Sequence, residues 1–238
     1  MDIENFKVGR VTDGVDPITV NIQLKHLRAA FRTSVRLKFV SENPCEGVSF
    51  LRHRLKEAVF MTEGEFGRLF MMIPDIEFRN LVSVTVLTAM RRGEVINLPW
   101  KHVDFEKQRI LIHPFKEFDP KGHHIRSIPM NWWVMDYLKQ KPRNGEYVFG
   151  RPDGLLLKGD TVNQKLKRYV RRAELDTRLH FHSLRHTGIS LLIKKGVPPS
   201  YVQRIAGHSS LIVTQRYVHV EENELLNAVN LMSLPILN

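Results

Sequence analysis

Apolar side chains recur every three or four residues along most of this chain, and that period predicts helices. The first strong one spans about Pro17 to Phe39. Asp16 suits its N-cap, Pro17 suits the first helical position, and Val20, Leu24, Leu27, Phe31 and Val35 make one apolar stripe. Lys25, Arg28, Arg32 and Arg36 repeat with the same step, each one residue on from an apolar position, so a basic stripe lies about 100° around the helix. Asn43-Pro44 is expected to stop this helix. Phe50 to Val59, with Arg52, His53, Arg54 and Lys56, reads as a linker. Thr62 and Glu65 then form a capping box, with Met61 and Phe66 placed for a hydrophobic staple, ahead of a helix through Leu69 and Phe70.

Another apolar helix is expected over about Arg79 to Met90, and a short one from near Arg92 that ends before Pro99. The period changes to alternation at Ile110 and Ile112, and again at Ile125 and from Ser127 to Pro129. Between these lies the turn-rich Asp119-Pro120-Lys121-Gly122, so a β-hairpin over about residues 108–130 is predicted. From Asp160 the chain reads as helical again. Lys165 to Arg172 holds five basic residues and no acid, with Val162, Leu166 and Tyr169 as its apolar face. Further helices are expected near 183–195, 199–206, 210–219 and 222–232, and Gly196 and Gly207 fall where helix ends favour glycine. The fold class is therefore mainly α with a small antiparallel β-sheet (α+β). Residues 1–52 form a small helical N-terminal piece, 53–59 a linker, 60–220 the main domain, and 221–238 a final helix and tail.

Composition changes this picture mainly through charge. Across 238 residues, 36 Lys and Arg face 25 acids, a formal net charge of +11 that attracts polyanions. A basic stripe on a helix is usually just a solvated face, but four cations with no interleaved acid tilt Lys25, Arg28, Arg32 and Arg36 toward phosphate contact, and Lys165, Lys167, Arg168 and Arg171 join them as candidates. The chain has no run of about 18 apolar residues, the length a membrane span needs. Its first twenty residues lack an apolar signal core, so export is not expected. The single cysteine, Cys45, excludes an internal disulfide and a multi-cysteine zinc site.

Several polar residues sit at helix edges without an obvious packing role: Arg91 in Thr88-Ala89-Met90-Arg91-Arg92-Gly93-Glu94, His182 and Arg185 in His182-Ser183-Leu184-Arg185-His186, His208 after Gly207, and Tyr217 nine residues later. Taken singly, each has an ordinary explanation. Arginine at a helix end favours the dipole, histidine near a helix start caps it, and tyrosine packs. His182 and His186 share a helix face at the spacing of a zinc pair, but Ser183 stands where metalloprotease chemistry needs Glu, and no acidic third ligand lies nearby in sequence. As an ordered set, however, an arginine, a hairpin lysine, His-x-x-Arg, Gly-His and a tyrosine resemble the tyrosine recombinase, or phage integrase, family. The surrounding runs RRGEVINLPWKHVDF, HSLRHT and GHSSLIVTQRYVHV agree with it. The resemblance covers about residues 58–220 as the catalytic domain, and more weakly 17–48 as the last helical part of a DNA-clamping domain.

That resemblance implies a tyrosine recombinase catalytic-domain fold behind a partial clamping domain, and an enzyme that cuts and rejoins DNA through a 3′-phosphotyrosyl bond to Tyr217. Arg91 and Arg185 would hold the nonbridging phosphate oxygens, with His208 adding a hydrogen bond. His182 is the candidate base and Glu94 a support for Arg91. In the family the lysine lies five residues before an Arg and eight before a Pro. Lys121, with Arg126 and Pro129, fits, and Lys116 competes if the hairpin loop is drawn longer. No cofactor and no metal are implied. The implied partners are double-stranded DNA target sites, a homotetramer, and accessory directionality or DNA-bending proteins, in a bacterial or phage-encoded protein of the cytoplasm and nucleoid. Leu225, Leu226, Val229 and Leu231 suit either docking on a neighbouring subunit or packing on the chain's own core. Two departures stand out. Alanine occupies position 89, where the family usually has glycine, and residues 1–16 are too few for the several helices that normally precede this one, so a truncated or minimal clamp is expected. The readings from other classes are a non-catalytic DNA-binding protein derived from an integrase and a topoisomerase-like relaxing enzyme. Because Lys and Arg contacts release counterions, DNA affinity should fall steeply between about 50 and 200 mM salt in a titration, and a flat profile would contradict a phosphate-reading surface.

Overall fold

The computed structural model describes residues 2–53, 58–116, 118–120, 125–151, 153 and 155–218. Contacts divide the chain into two compact units, Met1–Glu57 and Ala58–Asn238. In the first, α1 (Ile3–Thr12) packs on α2 (Pro17–Arg36) over Val20, Leu24 and Val48. The first of these helices was not expected; Asp2 caps it by accepting from the Glu4 amide at 3.1 Å. The second starts as predicted, with Asp16 accepting from the Ile18 amide at 2.9 Å. It ends at Arg36 rather than near Phe39, because Lys38 turns into the left-handed region at φ 61 and the Phe39 amide closes back on the Ser34 carbonyl. Asn21 brackets the returning chain, donating to the Leu51 carbonyl at 2.9 Å and accepting from its amide at 2.8 Å.

The second unit begins with α3 (Glu63–Met72), whose Thr62 and Glu65 form the expected capping box. Next come α4 (Ile76–Thr88), α5 (Arg92–Ile96) and a three-stranded antiparallel sheet of β1 (Val103–Asp104), β2 (Arg109–Ile112) and β3 (Arg126–Pro129), in the order β1-β2-β3. The predicted hairpin pairs Ile110 with Ile128 and Leu111 with Ser127. Ile110, Ile112 and Ile128 turn into the core, whereas Ile125 is exposed outside the strand. The two-residue β1 is too short to leave an alternating pattern. The helix α6 (Trp132–Gln140), also unforeseen, is capped by Asn131 on the Val134 amide at 2.9 Å and buries Val134 and Leu138. The chain finishes its described part with α7 (Gly159–Arg172), α8 (Phe181–Lys194), α9 (Pro199–Ala206) and α10 (Leu211–Gln215). The predicted helix at 222–232, with Leu225, Leu226, Val229 and Leu231, lies outside the described residues, as do Arg54 and Lys56 of the linker. No helix among the described residues is long and apolar enough to cross a membrane.

The pairing of α4 with α8 sets the frame. Both are buried over most of their length, which explains why α4 reads as apolar all round rather than as a stripe. They approach backbone to backbone at Gly188, where an added Cβ would stand 2.1 Å from the Val86 carbonyl oxygen. The partner is main chain and cannot swing aside. Gly188→Ala should therefore lower unfolding free energy by about 3 kcal/mol, read from the urea midpoint. Gly67→Ala, on the exposed side of α3 with nothing within 4 Å of its Cβ, should raise it by about 0.5–1 kcal/mol in the same titration.

Candidate active site

Two helix C-termini end beside each other's loops here, and arginines collect on them. Ala89 terminates α4 in the left-handed region at φ 51, a conformation that costs a residue with a Cβ roughly 1 kcal/mol and accounts for a small residue at this position. Gly207 terminates α9 at φ 67, and a Cβ there would also meet the Arg126 side chain at 2.6 Å. The last carbonyls of a helix lack partners and carry the negative end of its dipole. Arg185, on α8 and 2% exposed, donates to the Ala89 carbonyl at 2.6 Å and the Ala206 carbonyl at 2.7 Å. Arg91, the N-cap of α5, donates to the Gly207 carbonyl at 2.8 Å. Arg126, at the start of β3, donates through Nε to the Ile205 carbonyl at 3.2 Å.

Glu94 holds the cluster together. Its carboxylate accepts both forks of Arg126 at 2.8 Å, Arg91 Nη1 at 2.9 Å and the Arg91 amide at 2.7 Å. Burial opposes its charge, but the Arg126 hydrogen bonds and charge, followed by those of Arg91, hold the carboxyl down at about 2. Three guanidinium groups against one carboxylate leave the pocket cationic. A guanidinium has five N–H donors, so Arg91 and Arg185 each keep three without a protein partner among the described residues.

Tyr217, just beyond α10, enters this pocket at 7% exposure and packs with Ala89, Ile189, Val202 and Ala206. Its hydroxyl is hydrogen-bonded to Nδ1 of His186. His208 lies nearly parallel to the phenol, ring centroids 6.4 Å apart, with Nδ1 tied to the Thr214 hydroxyl at 2.8 Å. The ring of His182 meets that of His186 edge-on at 4.7 Å rather than the phenol itself. Burial pushes the phenol's pKa up, and the Arg185 and Arg216 charges pull it back. Burial, the Arg185 charge and neighbouring cationic groups press His182 and His208 to about 4, and burial together with His182 and Arg185 does the same to His186, so the three are neutral imidazoles at pH 7. For His182 the outer face stays open to water. Burial and the Arg91 charge lower Arg185 to about 10, which leaves it protonated.

The structure thus brings together Arg91, Glu94, His182, Arg185, His208 and Tyr217. Lys121 lies outside the described residues. Its competitor Lys116 is paired with Glu146 and faces the Phe115 ring. Of the basic candidates, Arg28 is turned onto its own unit, donating to the Val48 carbonyl at 2.6 Å and stacking on Phe50 at 4.7 Å, while Lys25, Arg32 and Arg36 are exposed. Lys165 pairs with Asp75 and lies over Phe78, Lys167 is half-buried, and Arg168 and Arg171 are exposed. Two participants escaped the sequence reading. Arg126 counted only as a spacing mark for the lysine, and His186 only as a member of a rejected zinc pair. A signal for Arg126 existed: a charged residue at the first position of a strand whose next inward position, Ile128, is buried. Among the described residues no group of three or more metal-ligating side chains converges.

The fold is that of tyrosine recombinase catalytic domains. It superposes on the Tn1549 transposon integrase in complex with a circular intermediate DNA with a TM-score of 0.77 at 21% identity, covering 97% of this chain and 84% of that one. On a lambda integrase dimer bound to a core site the score is 0.74 at 16% identity, covering 92% and 82%. The chain belongs to the phage integrase family, which it matches over residues 60–224. Among curated relatives it is similar to a tyrosine recombinase of Thermosipho africanus, 29% identical over 96% of this chain and 82% of that protein, and to tyrosine recombinase XerC of Pediococcus pentosaceus, 27% identical over 87% and 73%.

These shifts make stability acid-sensitive in two windows. Each folded pKa lies below its unfolded value, so each contribution is complete above the unfolded value and is lost as pH falls through the folded one. The histidines act between about 6.5 and 4, and Glu94 between 4.5 and about 2, where it contributes on the order of 3 kcal/mol. Urea unfolding measured against pH should show both falls. Glu94→Gln should be less stable at neutral pH by several kcal/mol, because two guanidinium groups lose their counterion, and should lose the lower fall.

Proposed function

We propose that the chain is a site-specific DNA recombinase or integrase that cleaves and rejoins strands through a covalent 3′-phosphotyrosyl intermediate on Tyr217. The observation that carries this reading is the burial of the Tyr217 hydroxyl within reach of the Arg185 charge, beside the His208 ring and already in contact with the His186 imidazole. A phosphodiester under attack gathers charge on its nonbridging oxygens. Arg91 and Arg185, pinned from behind by helix-terminal carbonyls, offer their remaining donors to those oxygens without reorganising, and His208 adds a neutral donor through the nitrogen that Thr214 leaves free. Losing one such donor typically costs about 3–4 kcal/mol in the barrier.

Lys121 is the proposed acid for the departing 5′ oxygen, and Glu94 supports Arg91 rather than reacting. His182, the base that the resemblance implies, meets His186 edge-on rather than the phenol, and is proposed instead as the imidazole through which a proton leaves the site. The phosphotyrosyl ester retains the energy of the broken bond, so a 5′-hydroxyl of another strand can rejoin it without a nucleotide cofactor. Lys25, Arg32 and Arg36, with Lys167, Arg168 and Arg171, are the proposed backbone contacts; the heads of Arg28 and Lys165 are already engaged. A lambda integrase was solved as a tetramer bound to a Holliday junction, and a tetramer on two duplexes is proposed here by analogy.

Nicked duplexes tiled from the DNA flanking the gene provide the test. Wild type should form protein-linked DNA that resists denaturing electrophoresis, Tyr217→Phe none, and Arg185→Ala about 100-fold to 1000-fold less per unit time. Duplexes that are bound but never linked would leave a DNA-binding protein in place of an enzyme, and relaxation of plasmid with no preferred sequence would favour the topoisomerase-like activity.

A further inference from the structure

The proton on Tyr217 has to go somewhere before the phenol can attack, since an unperturbed phenol is protonated at pH 7 and burial makes this one harder to ionise. Among the described residues the only side chain hydrogen-bonded to that hydroxyl is His186. It stands one position beyond Arg185 on α8 and one turn beyond His182, so the helix turns both histidines toward the same face while Arg185 lies about 100° around the helix from His186 and about 60° from His182. Its ring centroid lies 5.7 Å from that of the phenol. The backbone beneath it is firmly placed, because Arg185 is anchored on the Ala89 and Ala206 carbonyls and Gly188 is pressed against Val86. The side chain is half-buried.

Resting on the recombinase reading above, we propose that His186 is the general base for Tyr217. Nδ1 takes the phenolic proton as Oη bonds to phosphorus, the bond from phosphorus to the 5′ oxygen breaks, and that oxygen takes its proton from the proposed acid Lys121. In rejoining, the incoming 5′-hydroxyl gives its proton to the now neutral Lys121 amine as its oxygen bonds to phosphorus, the bond from Oη to phosphorus breaks, and His186 returns its proton to Oη. The contact requires the tautomer that carries hydrogen on Nε2, and a neutral ring at the start. The charged and titratable groups around His186 are His180, His182 and Arg185 on its own helix and cap, His208 from the connection before α10, and Tyr217 itself. Burial first, and then these neighbours, which include no anion, keep the ring unprotonated until an anion enters. A bound DNA phosphate is such an anion, and it favours the imidazolium when the proton arrives. Base function is thereby coupled to occupancy of the site, and the phenol is not activated in the absence of DNA.

The decisive variant is His186→Asn, which keeps an acceptor close to Nδ1 but has no basicity; His186→Gln repeats the test in a second geometry should the first fail to fold by urea titration. Each is assayed for Tyr217-dependent covalent product on a nicked duplex, and on the same duplex with sulfur replacing the bridging 5′ oxygen, a leaving group that needs no proton. Adduct formation should slow about 100-fold on both substrates, and a fluorinated, more acidic tyrosine at position 217 should restore most of it. A variant as fast as wild type would overturn the proposal. So would a defect rescued by sulfur, which places the lost group at the leaving oxygen, or one that the acidic phenol leaves unchanged, which makes His186 a positioning residue. If wild type itself yields no Tyr217-dependent adduct, it is the recombinase reading that fails.

Discussion

A single buried carboxylate governs this candidate active-site region. Glu94 is 2% exposed and ties Arg91, through side chain and backbone, to Arg126 on a strand distant in sequence. Without it, three guanidinium groups would face one another at low dielectric with only helix-terminal carbonyls to compensate, an arrangement that repulsion and desolvation would not tolerate. With it, the arginines are fixed at one edge by Glu94 and by the C-termini of α4 and α9, and their other donors stay available. The same pair explains why β3 lies against α9: Arg126 reaches both Glu94 and the Ile205 carbonyl, and its side chain fills the space a Cβ at Gly207 would need.

Electrostatics downstream of that clamp sets the protonation states. Burial, reinforced by a surplus of guanidinium charge, keeps the pocket's imidazoles neutral, which suits them to accept or donate a proton, and the same charge draws the phenol's pKa back against burial. Mechanical support comes from elsewhere. The close pairing of α4 and α8 at Gly188 fixes the helix that carries His182, Arg185 and His186, while α9 and α10 pack together and present His208 and Tyr217. Chemistry is thus divided between a rigid helix pair and a helix terminus whose charge is balanced locally.

Local signals in the chain were strong wherever one residue's chemistry met one backbone need. Asp16, Thr62 with Glu65, Gly196 and Gly207 all stand at the helix ends they announce. The alternation about Ile110 and Ile112 does belong to a strand, paired with the segment before Met130. Short elements were not legible. The strand β1 has two residues, α1 buries none of its own residues, and α6 has only Val134 and Leu138 fully buried, so none leaves a period long enough to read. Charge was legible as a sum but not as availability. Arg28 and Lys165 belong to basic runs, yet one is spent on loop carbonyls and the other on Asp75.

By itself, then, the sequence determined the helical class with its hairpin, the family, and the ordered motifs that mark the candidate site, because these depend on periods, caps and spacings that are local along the chain. Only the tertiary structure decided which of those residues touch. Arg126 lies 32 residues from Glu94 and His186 lies 31 from Tyr217. Contacts at such separations depend on how α8, α9 and β3 pack rather than on any spacing. The choice of His186 over His182 as the phenol's neighbour turns on one helical turn of reach, a distance that packing sets and that no motif encodes.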